Sequence, residues 1–353
     1  MTIFEAHQKS LWNEPRVWLV TGAAGFIGSN LIQFLLELDQ SVVAMDNFST
    51  GKPENLEDVQ QQITASQWAR LKFLEADVRD AQSCRMACDG VDYILHQAAL
   101  GSVPHSIEDP ISSHESNVKG MLQILQAARN AGVKRLVYAS SCAVYGDHLG
   151  LPKRESEIGN CLSPYAVTKL ANELYADVFA RCYGLSSVGL RYFNIFGRRQ
   201  DPNGPYAAVI PKWISAMLNG EPVRIFGDGE TSRDFCYIKN VVQANIAAAL
   251  TDLEEGSHEV FNVAVNARTT LNELFEALRS RLAVSEPRLK DISPEYRDFR
   301  AGDVRHSEAD ISHARERLGY VPTHTIDDGL SEALDWYLAD YHRRADGYKT
   351  AVD

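Results

Sequence analysis

From about residue 17 to residue 194, apolar and polar positions along the chain switch repeatedly between two periods. Continuous apolar runs of strand length (VWLVTG, SVVAMD, LKFLEAD, VDYILHQAA, RLVYASS and SSVGLRYFN) predict buried strands. Between them, helical spacing predicts helices over about 26–38, 116–130 and 164–183. Strands that are apolar throughout must be covered on both faces, and repeated strand–helix units supply that cover. The expected fold class is therefore α/β, a Rossmann-type doubly wound parallel sheet.

After about residue 197 the texture changes. GRRQDPNGPY reads as loop, AAVIPKWISAML as helix, VRIFGDG as strand and turn, and IKNVVQANIAAAL as helix. We expect a smaller, mainly helical lobe at the carboxyl edge of the sheet, where open α/β folds bind ligands. The expected division is an N-terminal extension over 1–15, a Rossmann domain over 16–197 with a returning segment near 235–250, a second lobe over 198–343 and a tail over 344–353.

Composition narrows the partners. The 353 residues are 45% hydrophobic, enough for a large domain and a smaller one. With 47 acidic against 35 basic residues the net charge is −12, a field that repels nucleic acid and anionic membrane surfaces. Any anionic ligand must be gripped by a few local donors. The six cysteines form no C-x-x-C, and the ten histidines do not group with them at ligand spacing, so reduced thiols and no metal are expected. Residues 1–15 lack the basic start and apolar run of a signal peptide, and no run of eighteen apolar residues occurs. These features predict a cytoplasmic protein.

The first candidate chemistry sits after the first strand. Gly22, Gly25 and Gly28 follow G-x-x-G-x-x-G and open a helix at Phe26 and Ile27, whose leading N–H groups can hold a pyrophosphate. Tight turns and close helix–strand packing select glycine too. Asp46, followed by Asn47, ends the second strand 18 residues beyond Gly28, where an acid accepts hydrogen bonds from a ribose diol and repels a 2'-phosphate. NAD is thereby favoured over NADP. Asp77 and Val78 end the third strand in position to meet adenine, although Asp77 fits a cap or turn equally well. Gln97, Ala98 and Ala99 supply small residues over which the cofactor can pass.

The second candidate site joins a strand end to a helix. Ser140 and Ser141 close the fifth run, and Tyr165 and Lys169 lie four apart on the next helix, on one face. A tyrosine acting as base near neutral pH needs its pKa lowered by roughly three units, about 4 kcal/mol. The lysine and an oxidised nicotinamide can both contribute, and Ser141 can share the proton or hold a substrate oxygen. Y-x-x-x-K alone also describes an exposed aromatic with a neighbouring lysine. The serine-bearing strand and the glycine turn make the catalytic reading the stronger one.

With LHQAALGSVPHSI, LSPYAVTK, GLRYFNIFGRRQDPNGPYAAVIPKW, DGETSRDFCYI and RAGDVRHS, the sequence resembles the extended short-chain dehydrogenase/reductases over about residues 16–343. Within them it resembles the nucleotide-sugar 4-epimerases, most closely the bacterial UDP-N-acetylglucosamine 4-epimerases. The resemblance implies NAD, with Tyr165 as base, Lys169 as its activator, Ser141 assisting and Ser140 as the backup hydroxyl. It implies nicotinamide-side contacts at Asn117 and at the main chain near Tyr192 and Phe193. It places nucleotide-sugar contacts on Asn194, Ala208, Val209, Arg233, Arg300 and Asp303, although either arginine alone could be a surface ion-pair partner. Ser307, four beyond the R-x-G-D aspartate, stands where a bulky tyrosine would exclude a 2-acetamido group, and Gly101 and Ser102 add room.

The implied reaction interconverts UDP-N-acetylglucosamine and UDP-N-acetylgalactosamine through a transient 4-keto sugar, with weaker action on UDP-glucose and UDP-galactose. The product would suit surface polysaccharide. Cys142 and Ala143 depart from the usual hydroxyl residues, and His105 stands where arginine is frequent. A cation there keeps a UDP-uronic acid 4-epimerase or decarboxylase open. A nucleotide-sugar 4,6-dehydratase would need an Asp-Glu pair directly after the strand-end hydroxyl, where Cys142 and Ala143 lie. Family habit also implies a homodimer paired through helices around 108–130 and 164–183.

Overall fold

Six strands, β1 (Val17–Thr21), β2 (Ser41–Asp46), β3 (Leu71–Glu75), β4 (Tyr93–His96), β5 (Arg135–Ser141) and β6 (Ser187–Tyr192), fall within the six apolar runs. The computed structural model describes residues 2–203, 207–299 and 304–350, with side chains of the closing helix described through residue 343. The strands join one all-parallel, seven-stranded sheet in the order His258–Val263, β6, β5, β4, β1, β2, β3.

Alternate residues of each strand enter different cores. Trp18 and Val20 of β1 and Val137 of β5 join one buried cluster, and Leu19, Leu136 and Tyr138 join the other. This is why the runs are apolar throughout. Each fully buried Leu or Val in these layers contributes roughly 1.5–3 kcal/mol. The first cluster continues into the second lobe through Trp213, Ile214 and Phe275. The two lobes therefore share one core.

Two parts of the sheet lobe lie outside the expected limits. The returning segment is longer than residues 235–250. Helix Ile238–Leu250 packs against β5 and β6, and His258–Val263 then adds the seventh strand, in register from His258 opposite Ser187 to Val263 opposite Tyr192. The N-terminal stretch forms a helix, Ile3–Asn13, closed by a Thr2/Glu5 capping box, with Leu11 buried and Phe4 stacked on Phe34.

Strand order reverses between β1 and β4, so a crevice opens beyond their carboxyl ends. There Thr21 lies opposite His96, their side chains bonded at 2.7 Å, and Thr21 Oγ1 accepts the Ala98 N–H at 3.2 Å. Burial pulls the His96 imidazole down to about 3, so it stays neutral.

Candidate active site

Two clefts meet at Gly101. The narrower, ≈ 340 Å³, runs over the glycine turn. Gly22 has φ +66°, and a Cβ there would sit 2.8 Å from the Ala98 nitrogen. A Cβ on Gly28 would sit 2.0 Å from the Gly22 carbonyl oxygen. Helix Phe26–Glu37 starts at Gly25 with no side-chain cap and no acid in its first turn. Its leading N–H groups are thus open to an anion. Asp46 is buried, with Oδ2 accepting the Ala24 N–H at 2.9 Å and Oδ1 the Phe48 N–H at 2.8 Å. Each oxygen keeps a lone pair for a diol. The cradle and the acid together fit NAD.

Of the residues expected at the cofactor, Gly22, Gly25, Phe26, Ile27, Gly28, Asp46, Asn47, Asp77, Val78, Gln97, Ala98 and Ala99 line this cleft. Asp77 is held by Arg79 and Asn47, and these hydrogen bonds lower its carboxyl to about 2. Asn117, Tyr165, Lys169 and Tyr192 do not line it. Asn117 is buried and spent within the protein: Oδ1 accepts the Leu100 N–H, and Nδ2 donates to the Leu100 carbonyl and to Thr168. The Tyr192 phenol is closed into a ring with Gln97 and Asn245.

The loop Ser49–Lys52, with Asn55, Arg199 and Asp201, also lines the cleft and was absent from the expected set. The Lys52 N–H and the Asn55 side chain both donate to the Ala24 carbonyl, fastening this loop over the glycine turn. Lys52 also pairs with Asp201 at 2.5 Å. STGK, separated by two residues from the strand that ends in Asp46, is the sequence feature that marks this loop.

The wider cleft, ≈ 920 Å³, carries Gly101, Ser102, Asn194, Ala208, Val209 and Arg233 of the expected substrate set. Asn194 has φ +35°, a left-handed conformation that its side chain supports by donating to the Asp234 carbonyl. Ala208 is the uncapped N-cap of helix Val209–Asn219, which presents a second set of open N–H groups. Along that helix Lys212, Ser215, Ala216 and Asn219 share the cleft face at helical spacing, a pattern written in the sequence. Arg300 and Asp303 lie outside the described residues. Ser307 does not line the cleft. Its N–H donates to the Ser232 carbonyl, docking its segment on Ser232–Arg233.

Helix Pro164–Tyr183 packs on β5 as a ladder of residues four apart. It is started by the Ser163 cap and Pro164, and ended by Gly184 in left-handed conformation. Tyr165 is half-buried, and burial raises its phenol to about 12 against an opposing contribution from Ser141. The Lys169 ammonium lies 5.9 Å from the Tyr165 ring centre and donates to the Ala139 carbonyl at 2.8 Å. Glu173 accepts the Ser140 hydroxyl at 2.6 Å and two bonds from Arg191.

One expectation is corrected here. Ser140 is no backup hydroxyl, because its proton is committed to Glu173. Within the protein alone, burial holds the Tyr165 phenol high. Ser141 Oγ accepts the Ala143 N–H at 3.1 Å, which leaves its own proton to donate. Burial raises the Cys142 thiol to about 11, so it is not a nucleophile at neutral pH. Among the described residues no cluster has the makings of a metal site, and no helix is long and apolar enough to cross a membrane.

Burial lowers Lys169 to about 8 from 10.5. Between these values the unfolded chain holds more protons at this position than the folded one. Its contribution to stability therefore rises with pH from about 8 to 10.5 and is lost as pH falls. Denaturant midpoints across this window should show that rise, and Lys169→Met should flatten it. An identical slope in the variant would refute the assignment.

The model of the NAD dependent epimerase/dehydratase family matches residues 18–264. The chain is 35% identical over 321 residues to a UDP-glucose 4-epimerase of Mycolicibacterium smegmatis, covering 90% of this chain and 97% of the relative. A solved UDP-N-acetylglucosamine 4-epimerase from Methanobrevibacter ruminantium M1, in complex with UDP-N-acetylmuramic acid, is similar with a TM-score of 0.84 at 40% identity, covering 93% of this chain and 99% of that one. A UDP-glucuronic acid 4-epimerase from Bacillus cereus, in complex with UDP-glucuronic acid and NAD, is similar with a TM-score of 0.79 at 29% identity, covering 92% and 99%.

Proposed function

The chain belongs to the NAD dependent epimerase/dehydratase family as an NAD-dependent enzyme of the UDP-sugar 4-epimerases, and from that premise we propose that it interconverts UDP-N-acetylglucosamine and UDP-N-acetylgalactosamine. The observation that carries the choice of sugar is open space at the junction of the clefts. A Cβ built on Gly101 meets nothing within 4 Å, and Ser102, Ala207 and Ala208 keep the neighbouring wall small. A 2-acetamido group fits such a wall. His105, the residue considered for a uronic acid carboxylate, does not line the wider cleft.

When bound, NAD supplies the hydride acceptor and donor and, in its oxidised form, a positive charge. The chain's own work is to hold and to move a proton. Arg233 and the open end of helix Val209–Asn219 hold the diphosphate, so the nucleotide is fixed while the sugar turns. Tyr165 takes the proton from the 4-hydroxyl at its phenol oxygen and returns it after the sugar has turned. Ser141 donates to the sugar oxygen, and the ammonium of Lys169 favours the phenolate. Bringing a phenol from about 12 to near 7 requires roughly 7 kcal/mol of preferential stabilisation, more than a single nearby ammonium supplies at an effective dielectric of about 20. The positive charge of the oxidised cofactor is thus part of the requirement.

Ser307 stands behind the wall, its main chain bonded to that of Ser232 next to the cleft residue Arg233, so the longer ring of Ser307→Tyr should reach into the cleft and lower turnover of the two acetamido sugars at least tenfold while sparing UDP-glucose and UDP-galactose. Steady-state rates with all four sugars, and with UDP-glucuronate, decide this. Unchanged acetamido turnover would remove Ser307 from the account, and preferred turnover of UDP-glucuronate would overturn the choice of sugar.

The same reading includes a homodimer. Ile107 on helix Val103–Glu108, Ile111 on helix Pro110–His114, and Val167, Leu174 and Val178 on helix Pro164–Tyr183 leave apolar side chains exposed on three mutually packed helices. Sedimentation of a monomer at micromolar concentration would refute that pairing.

A further inference from the structure

We propose that Ser106 is a positioning residue that couples the wall receiving the sugar to the phenol of Tyr165, an inference that rests on the epimerase reading above. Ser106 lies on helix Val103–Glu108, two residues after the run Gly101, Ser102, Val103 and Pro104 of the wider cleft. It is fully buried and touches neither cleft. Its hydroxyl donates to the Val103 carbonyl at 2.6 Å and accepts the main-chain N–H of Tyr165 at 3.0 Å.

That N–H belongs to the first turn of its helix and has no partner within it. Pro164 has no N–H, the Ser163 side chain takes the N–H of Ala166, and the Ser163 carbonyl takes that of Val167. The donor left over is that of Tyr165, and its acceptor comes from the cleft-wall segment. A second relay reaches the same residue from its other side. Thr168 donates to the Tyr165 carbonyl at 2.7 Å and accepts from Asn117 at 3.0 Å, and Asn117 grips both main-chain polar atoms of Leu100. Both main-chain polar atoms of Tyr165 are thus tied to residues flanking Gly101 and Ser102. A sugar seated against this wall and the base that deprotonates it share one frame. Misplacing reacting groups by about 1 Å can cost up to a hundredfold in rate.

The test compares wild type, Ser106→Ala and Ser106→Thr, each carrying its NAD. Ser106→Ala should lower kcat roughly 10- to 100-fold with KM within about twofold. The acid limb of its kcat–pH profile should move to higher pH, because a phenol drifting from Ser141 and Lys169 loses their help. Ser106→Thr, which keeps the hydroxyl, should recover most of kcat. Should Ser106→Ala fold poorly, Thr168→Val cuts the other relay and should give the same kcat loss and pH shift. Amide exchange at Tyr165 should be faster in Ser106→Ala whatever the activity. Wild-type turnover with an unchanged kcat and pH profile in the variant would overturn the proposal, as would a loss that Thr fails to rescue. A wild type inactive on every UDP-sugar would instead overturn the epimerase reading, leaving amide exchange to judge the coupling.

Discussion

Tyr165→Phe should lower kcat by roughly 10²- to 10⁴-fold, the range associated with losing a positioned acid–base group, and leave bound NAD in place. The ring keeps its place on the helix, so the change removes one oxygen. Ser141 cannot replace it as base, since an aliphatic hydroxyl holds its proton far more tightly than a phenol and its oxygen already accepts the Ala143 N–H. Tyr165 does not line the dinucleotide cleft, so the cradle of Gly22, Gly25, Gly28 and Asp46 is untouched. Turnover and the NAD released on denaturation are read on the same sample. Activity within threefold of wild type would remove Tyr165 from the chemistry. A loss of NAD in parallel would make the residue a cofactor ligand first.

Glu173→Ala should be the most damaging single change to the fold among those considered. The carboxylate sits one helical turn beyond Lys169, buried, with Arg191 on it in a bidentate pair at 2.9 and 2.7 Å and Ser140 at 2.6 Å. The Arg191 guanidinium also lies 4.9 Å from the Tyr145 ring centre and donates to the Glu155 carbonyl. Removing Glu173 strands a buried positive charge: burial disfavours the Arg191 guanidinium and Glu173 is what offsets that, yet a guanidinium does not give up its proton at neutral pH. Breaking one side of such a pair costs about 3–5 kcal/mol. Urea unfolding should show that loss, with activity falling too because Tyr165, Lys169 and Glu173 lie on one helix face. A change below about 1 kcal/mol would mean that water reaches the pair.

The parts of the molecule that could be read beforehand are those whose physics is local. Helix Pro164–Tyr183 announces itself with Ser163, Pro164 and Gly184, and the Gly22–Gly28 turn is written in residues that leave no room for a Cβ. β1, β2 and β5 were legible because both faces are buried. The strand His258–Val263 was hidden because HEVFNV begins with two polar residues and follows a change of texture. Only its pairing with β6 defines it. The N-terminal helix leaves little trace in the sequence because its single fully buried side chain, Leu11, gives little periodicity.

In the site, residue types were legible and their commitments were not. Ser140 and Ser141 are adjacent and chemically alike, yet one is spent on Glu173 and the other faces the phenol. Asn117 and Tyr192 carry side chains suited to a ligand but are closed on protein partners. Which polar group is free is a property of tertiary packing, and no spacing rule shows it. The same limit hid Ser106, an ordinary serine until the helix end beside it is seen to need an acceptor.

The central claim is that one carbinol carbon loses a hydrogen and regains the same one from the other face, within a single site. The direct measurement uses UDP-N-acetylglucosamine carrying deuterium at C4 of the sugar, turned over in ordinary water and analysed by mass spectrometry and NMR. The account predicts that the label stays at C4 in both epimers at equilibrium. Washout of the label into solvent during interconversion would contradict it.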